Sequence, residues 1–257
     1  MRVRARHVTG ALVGLLLPLT TMAQEWPAPI QALEAQGLTI HDAFDAPAGM
    51  TGYAASAQGR EVAIYLTEDG EHAIVGNMVD AEGNNLSEDP LQEIVRGPQE
   101  ERIWQDLHDS AWVADGSDDA DRVIYMFSDT HCPYCQEFWE ASRAWVEAGH
   151  VQIRHILVGI LDRESPRQAM TILEADEPAE LLDRHHRGKP IDWLETIRPA
   201  MEDRVYGNQQ LMESLGLVAT PGLIYHVDGQ LEMTQGIPED MATVMGSPQP
   251  AGGLDDD

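Results

Sequence analysis

The chain has 257 residues, with 44 aspartates and glutamates against 16 lysines and arginines, a formal charge of −28, and two cysteines. That excess of negative charge argues against nucleic acid or an anionic membrane as a partner. A chain of this length can bury its own core, and two cysteines make no disulfide framework, so the pair is available for chemistry.

Arg2, Arg4 and Arg6 precede a mostly apolar stretch from Ala11 to Leu19, and Thr21-Met22-Ala23 supplies small residues at a cleavage site. We read residues 1–23 as a signal peptide cut before Gln24, because the apolar stretch is too short for a stable anchor. No later segment suggests membrane insertion. The mature chain is expected in a compartment where disulfides persist. Its acids are spread along the whole length, which suits adaptation to a salty exterior better than an acidic face for basic clients.

Residues 24–90 read as a small α+β unit. Pro29 to Gln36 is a helix closed by Gly37. Strands follow at Leu38–Phe44, Met50–Ala57, Glu61–Leu66 and His72–Val79, separated by turn residues such as Pro47-Ala48-Gly49 and Glu68-Asp69-Gly70. Val62, Ile64 and Leu66 alternate with Ala63 and Tyr65, as in a half-buried strand. Nothing here is catalytic, and so small a unit gains from oligomerisation.

From Pro98 to Val113 the spacing of Ile103, Trp104, Leu107 and Ala111 predicts a helix, with Pro98 in its first turn. It reads as a link between two units or as the first helix of the second. Beyond Asp121 come a strand (Arg122–Phe127), a helix (Pro133–Ala148) and a strand (Val151–Val158). A helical stretch over residues 165–215 follows, then strands Gly222–Val227 and Gln230–Gln235 about Asp228-Gly229, and a last helix from Pro238 to Met245. This order indicates a mixed α/β sheet. Ser247–Asp257, rich in Pro, Gly and Asp, reads as a disordered tail.

Both cysteines lie in His131-Cys132-Pro133-Tyr134-Cys135, at the junction of a strand and a helix. A thiol at a helix N-terminus is stabilised as thiolate by unpaired N–H groups and the helix dipole. A protonated His131 would add to this. Cys135, almost one turn later, should be more buried and less ionised. That asymmetry suits thiol–disulfide exchange, with Cys132 attacking and Cys135 resolving the mixed disulfide. Phe138, Trp139 and Trp145 read as core facing the sheet.

Other chemistries fit less well. Zinc needs two more ligands, and His131, His155, His185 and His186 lack ligand-like spacing to the cysteines. Haem attachment needs a histidine where Gln136 stands. A structural disulfide would close too short a loop to stabilise much. Neither a metal nor a cofactor is expected. Further on, Thr220-Pro221 begins a strand just after a helix. By its residues alone, Pro221 is either a cis proline or a trans proline opening an edge strand, and trans is the commoner state. If cis, Thr220 would present its backbone beside the cysteines, able to pair with an extended client.

Cys132-Pro133-Tyr134-Cys135 after a strand and Thr220-Pro221 before one resemble the thioredoxin fold of secreted disulfide oxidoreductases. The resemblance extends to Glu25-Trp26-Pro27-Ala28-Pro29-Ile30, Gln36-Gly37-Leu38-Thr39-Ile40, Phe44-Asp45-Ala46-Pro47, Ile64-Tyr65-Leu66-Thr67, Gln136-Glu137-Phe138-Trp139 and Gly236-Ile237-Pro238. Over nearly the whole mature chain these resemble the DsbC/DsbG family, and Pro133-Tyr134 between the cysteines is similar to its DsbG branch.

The resemblance implies an α/β thioredoxin fold with a helical insertion, over residues 119–246. A small α+β (cystatin-like) dimerisation domain, 24–90, and a linker helix, 91–118, would precede it. It further implies a V-shaped periplasmic homodimer kept reduced by the membrane reductase DsbD. Its clients would be misoxidised or sulfenylated periplasmic proteins, served by isomerase, reductase and chaperone-like activity. Thr220, Pro221, Pro133 and Tyr134 would form the substrate-facing surface. Thr130-His131 departs from the apolar or proline-containing pair expected before the first cysteine. The alternative is a dimeric holdase in which the cysteines are secondary.

Overall fold

The computed structural model describes residues 25–250; the expected signal peptide and residues 251–257 lie outside them. The chain divides into two compact units, the first ending at Leu91 and the second beginning at Gln92. Among the described residues no helix is long and apolar enough to cross a membrane.

The first unit opens with α1 (Ala28–Glu34), followed by strands β1 (Thr39–Asp45), β2 (Thr51–Ala57), β3 (Arg60–Leu66) and β4 (Ala73–Val75), with α2 (Glu88–Leu91) at its end. The strands form an antiparallel sheet in the order β1-β2-β3-β4. Ile30 of α1 packs on Tyr53, Ile64 and Leu66 of one sheet face, and Trp26 meets Tyr53 edge to face at 5.6 Å. Tyr65 places its hydroxyl 2.6 Å from the buried Ser87 hydroxyl. The fourth strand is shorter than the expected His72–Val79, because its register with β3 runs only over Ala73–Val75.

The second unit begins with a π-helical turn (Gln92–Arg96) and continues into α3 (Gly97–Asp109), β5 (Trp112–Asp115), β6 (Arg122–Asp129), α4 (Pro133–Glu147) and β7 (Val151–Val158). After these come α5 (Ser165–Glu174), α6 (Pro178–His186), α7 (Pro199–Ser214), β8 (Gly222–Val227), β9 (Gln230–Gln235) and α8 (Met241–Met245). The sheet runs β5-β7-β6-β8-β9. Its centre, β6, is parallel to β7 and antiparallel to β8.

The continuous apolar run of β6 follows from burial on both faces. Ile124 and Met126 point to one side, where Phe138 and Trp145 of α4 and Val244 of α8 cover them. Tyr125 and Phe127 point to the other, against Leu107 of α3 and Met212 of α7. With β5 set aside, the order β7-β6-β8-β9, with α4 between the parallel pair and α8 closing, is that of the thioredoxin fold. The three helices between β7 and β8 are an insertion. They carry their own core, in which Val113 and Leu157 of the sheet meet Ile172, Leu182, Met201 and Val205.

Four expectations are corrected. The helix read over Pro98–Val113 stops at Asp109, and Trp112–Asp115 is an edge strand paired with Ile156–Ile153 of β7. Ala111 and Val113 prolong the helical spacing by coincidence, and long-range pairing decides their state. Residues 97–109 pack within the second unit, so the segment read as a linker, 91–118, belongs from Gln92 onward to that unit. The stretch 165–215 is three helices rather than one, and residues 187–198 between α6 and α7 form none. Pro190 and Pro199 bias their predecessors away from helix. The last helix starts at Met241 instead of Pro238, because Asp240 caps it by accepting from the N–H groups of Ala242 and Thr243.

The Asp228-Gly229 hairpin turn was correctly anticipated: both residues have positive φ, at 50° and 83°. Of the expected tail, Ser247 is tied down, since its carbonyl accepts from the Trp145 indole at 2.9 Å.

Gly116 ends β5 at φ 114°, where a Cβ would lie 2.6 Å from the Val151 carbonyl oxygen. Gly116→Ala is expected to destabilise the chain by about 2–3 kcal/mol, read from the denaturant midpoint. A change within about 0.5 kcal/mol would contradict this close approach.

Candidate active site

Strand β6 delivers the chain from the sheet centre to the N-terminus of α4, and Cys132 occupies the cap position. Its backbone is extended (φ −87°, ψ 109°), and Pro133 follows in the first turn, where a missing N–H costs nothing. Cys132 Sγ accepts from the Cys135 N–H at 3.1 Å, the hydrogen bond that a capping side chain makes. Its thiol can donate to the Thr220 carbonyl oxygen at 3.3 Å. No disulfide joins the two cysteines, and both are buried.

The two thiols are driven apart electrostatically. Hydrogen bonding from the Cys135 thiol, helped by the N–H groups of Cys135 and Tyr134, brings Cys132 down to about 6 against the opposing effect of burial. Cys135 moves far above the ordinary thiol range, first because it is buried and then because the Cys132 thiolate stands beside it. Exposure follows the same order, 5% for Cys132 and 1% for Cys135.

Facing them is a cis peptide bond, Thr220-Pro221. The loop is held by β9. The Gln235 side-chain oxygen accepts from the N–H groups of Val218 and Ala219 at 2.7 and 2.9 Å, and the Gly236 N–H donates to the Pro221 carbonyl at 2.8 Å. The Thr220 hydroxyl is buried without a hydrogen-bond partner among the described residues. Tyr134 and Val218 are 59% and 83% exposed. The structure thus brings Cys132, Cys135 and Thr220 into contact, puts Pro221 in the same loop, and leaves Pro133 and Tyr134 at the surface.

Sequence reading overlooked Asp129. Its carboxylate is fully buried and accepts four hydrogen bonds, from the His131 N–H (2.8 Å), the Ser165 hydroxyl (2.6 Å), and the N–H groups of Ile160 and Leu161 (2.7 and 3.0 Å). Its own carbonyl accepts from the Cys132 N–H at 3.0 Å. Asp129 therefore ties the approach to the cysteines to the start of the insertion. An aspartate closing an apolar strand, three residues before a cap, was the available signal.

Two side chains sit differently from expectation. The His131 ring turns its Nδ1 to Ser165 Oγ at 2.9 Å. Trp139 is buried but faces the insertion, stacked on His186 with ring centroids 4.9 Å apart and planes 12° apart. Arg143 covers its other surroundings, with the guanidinium 4.3 Å from the ring. That guanidinium grips the Asp115 carboxylate. Burial pushes Asp115 upward, but hydrogen bonds from His155 and Arg143 outweigh it and hold the carboxyl well below the usual range. No group of three or more His, Cys, Asp or Glu side chains among the described residues is arranged to hold a metal ion.

A thiolate that caps a helix, with a buried thiol behind it on a thioredoxin-ordered sheet, is built to exchange disulfides, and the class is thiol:disulfide oxidoreductase. Comparison with known proteins narrows it. Residues 21–88 match the disulfide bond isomerase protein N-terminal domain and residues 110–186 the thioredoxin family. The thiol:disulfide interchange protein DsbG of Pseudomonas aeruginosa is 42% identical over 234 residues, 89% of this chain and 91% of that protein. DsbG of Escherichia coli is 39% identical over 228 residues, 87% of this chain and 92% of that protein. Among solved structures, the catalytic domain of Proteus mirabilis ScsC is 17% identical with a TM-score of 0.49, covering 57% of this chain and 94% of that one. The chain belongs to the DsbG family of thiol:disulfide interchange proteins.

Alkylation of the reduced chain is expected to reach half its maximal rate at Cys132 near pH 6, leaving Cys135 unmodified at neutral pH. A midpoint near the free-thiol value of about 8.5 would contradict this. Because the unfolded thiol keeps its proton up to about 8.5, the depressed folded value adds stability as pH rises above about 6 and loses it on acidification through that point. Relative to Cys132→Ser, the reduced chain should therefore gain stability from pH 6 upward.

Proposed function

We propose that Cys132 is the attacking thiolate, and Cys135 the resolving thiol, of a periplasmic enzyme kept reduced by the membrane reductase DsbD. One observation carries this reading: the Cys135 N–H and thiol both serve Cys132 Sγ, so one sulfur is ionised at neutral pH while its neighbour holds its proton. With a mismatched disulfide, Cys132 Sγ attacks one client sulfur, the client S–S bond breaks, and the other client sulfur leaves as thiolate. That thiolate can attack a third client sulfur, which completes isomerisation and frees Cys132. Alternatively, Cys135 gives up its proton and displaces the client, forming the Cys132–Cys135 disulfide.

With a client sulfenic acid, Cys132 Sγ forms the S–S bond, the S–O bond breaks, and hydroxide leaves to take a proton as water. Cys135 then resolves the mixed disulfide. Whenever the Cys132–Cys135 disulfide forms, DsbD returns the two electrons; isomerisation needs none. In this reading Thr220 and cis-Pro221 hold the client backbone while Pro133 and Tyr134 line its path.

We further propose that the domain of residues 24–90 dimerises, with the thioredoxin-like domain carrying the chemistry. Strand β4 supports this: it ends the sheet, and Ile74 and Val75 on it are more than half exposed, as is Val79 just beyond. Exposed Tyr134 and Val218 beside the thiolate favour a holdase role as well.

Cys132→Ala is expected to abolish insulin reduction, RNase refolding and sulfenic-acid reduction, and Cys135→Ala to accumulate mixed disulfides. Full activity of Cys132→Ala in all three assays would overturn the enzymatic reading. Aggregation suppression that survives loss of both cysteines, together with full protection of cells, would make the holdase the principal function.

By light scattering, the mature chain is expected to be a dimer and a truncated chain beginning at Gln92 a monomer. That start keeps α3 and β5, which pack within the second unit. A dimer of the truncated chain would place the interface elsewhere.

A further inference from the structure

Two histidines of the insertion grip the segment that carries the thiolate. His185 Nε2 lies 3.0 Å from the Thr130 carbonyl oxygen. A carbonyl only accepts, so Nε2 bears the proton. His186 Nδ1 lies 2.8 Å from the Gln136 side-chain oxygen, while the Gln136 amide nitrogen donates to the His186 carbonyl at 2.9 Å and to the Glu140 carboxylate at 2.8 Å. Both acceptors fix the orientation of that amide, so His186 Nδ1 is its donor and His186 Nε2 a bare lone pair. Gln136 also closes the first turn of α4, its N–H donating to the Cys132 carbonyl at 3.2 Å. Thr130 and Gln136 thus bracket Cys132, and α6 holds both ends.

The same geometry requires a neutral ring at His186. His186 Nε2 is buried and has no hydrogen-bond partner among the described residues. The neighbouring ring, His155 at 5.5 Å, presents its Nε2 to Asp115, and its buried Nδ1 is likewise unpartnered. Two unpartnered ring nitrogens therefore lie in one buried cluster whose carboxylate, Asp115, is gripped by Arg143. The groups facing His186 are Asp115 on β5, Arg143 on α4, His155 on β7 and His185 on α6. Those facing His185 include Asp129 and His131 at the end of β6.

We propose that His185 and His186, as neutral imidazoles, are positioning residues for the exchange reaction: they clasp the first turn of α4 so that the Cys135 N–H stays aimed at Cys132 Sγ, and they release it on acidification. The inference rests on Cys132 being the attacking thiolate. Burial first, then His155 and His185, hold His186 down to about 2, and burial lowers His185. A released histidine titrates near its ordinary value of about 6.5. Below that pH the released state binds a proton that clasped His186 refuses, so His186 favours release by up to about tenfold per pH unit.

The test uses the full mature chain and four variants. His186→Phe keeps a flat ring on Trp139 but removes the donor to Gln136. His186→Asn restores a donor where Nδ1 stood. His185→Leu and His185→Gln make the same comparison at Nε2. The thiolate absorbance of Cys132 is titrated in each, alongside thermal stability.

His186→Phe and His185→Leu are expected to raise the Cys132 midpoint by about 0.5–1 pH unit, slowing exchange at pH 6 about two- to fivefold. His186→Asn and His185→Gln should return it to the parent value. A fall in thermal stability with an unchanged Cys132 midpoint would overturn the clasp and leave both histidines as packing. An ordinary thiol midpoint in the parent chain would instead overturn the reading of Cys132 itself. Hydrogen exchange of α6 in the parent, corrected for intrinsic rate, should lose protection below about pH 6.5. Flat protection down to about pH 5 would overturn the release on acidification.

Discussion

The hydrogen bond from the Cys135 N–H to Cys132 Sγ is where fold and chemistry meet. It is a helix cap made by sulfur, so a structural need of α4 and the stabilisation of a reactive anion are served by one contact. It forms because β6, buried on both faces, ends at a fixed point above the core. Phe138 and Trp145 then anchor α4 against that same core, which fixes where the first-turn N–H groups point. Cys135 lies inside this packing, and its burial keeps it protonated. The asymmetry between the two sulfurs is thus a consequence of their depth on one helix.

Around that contact the second unit builds rigid walls from separate pieces of chain. The cis-proline loop is hung from Gln235 on β9, so the loop whose Thr220 carbonyl faces the thiol is tied to an edge strand. Asp129 collects four donors and joins the approach to Cys132 with the turn that begins the insertion. Buried carboxylates and amides cost free energy unless their bonds are all made, and such complete sets admit few alternative arrangements. The insertion therefore acts as scaffold for the site, through Ser165 at one end and His185-His186 at the other.

Much of this was readable from residues. The run before the cysteines marks a doubly buried strand, Cys132-Pro133 marks a capped helix start, and Asp228-Gly229 marks a hairpin whose turn needs positive φ. These features are local, and local sequence determines them. Strand β5 was missed because its identity comes from pairing with β7, about forty residues away, while its own spacing continues a helix. Asp129 looked like an ordinary polar residue before a turn, since none of its four donors is visible without the fold. Trp139 was expected on the sheet, and only the return of α6 explains its stack on His186. The state of Pro221 could not be decided from its residues alone, where trans is the commoner form.

The central claim is that Cys132 alone meets the client sulfur, under the Thr220 backbone. The most direct measurement is a crystal structure of Cys135→Ala joined by a mixed disulfide to a cysteine-containing peptide. The account predicts a single S–S bond at Cys132, with the peptide extended along Thr220 and cis-Pro221 and hydrogen-bonded to the Thr220 backbone. A peptide bound away from that loop, or a chain that forms no mixed disulfide at neutral pH, would contradict it.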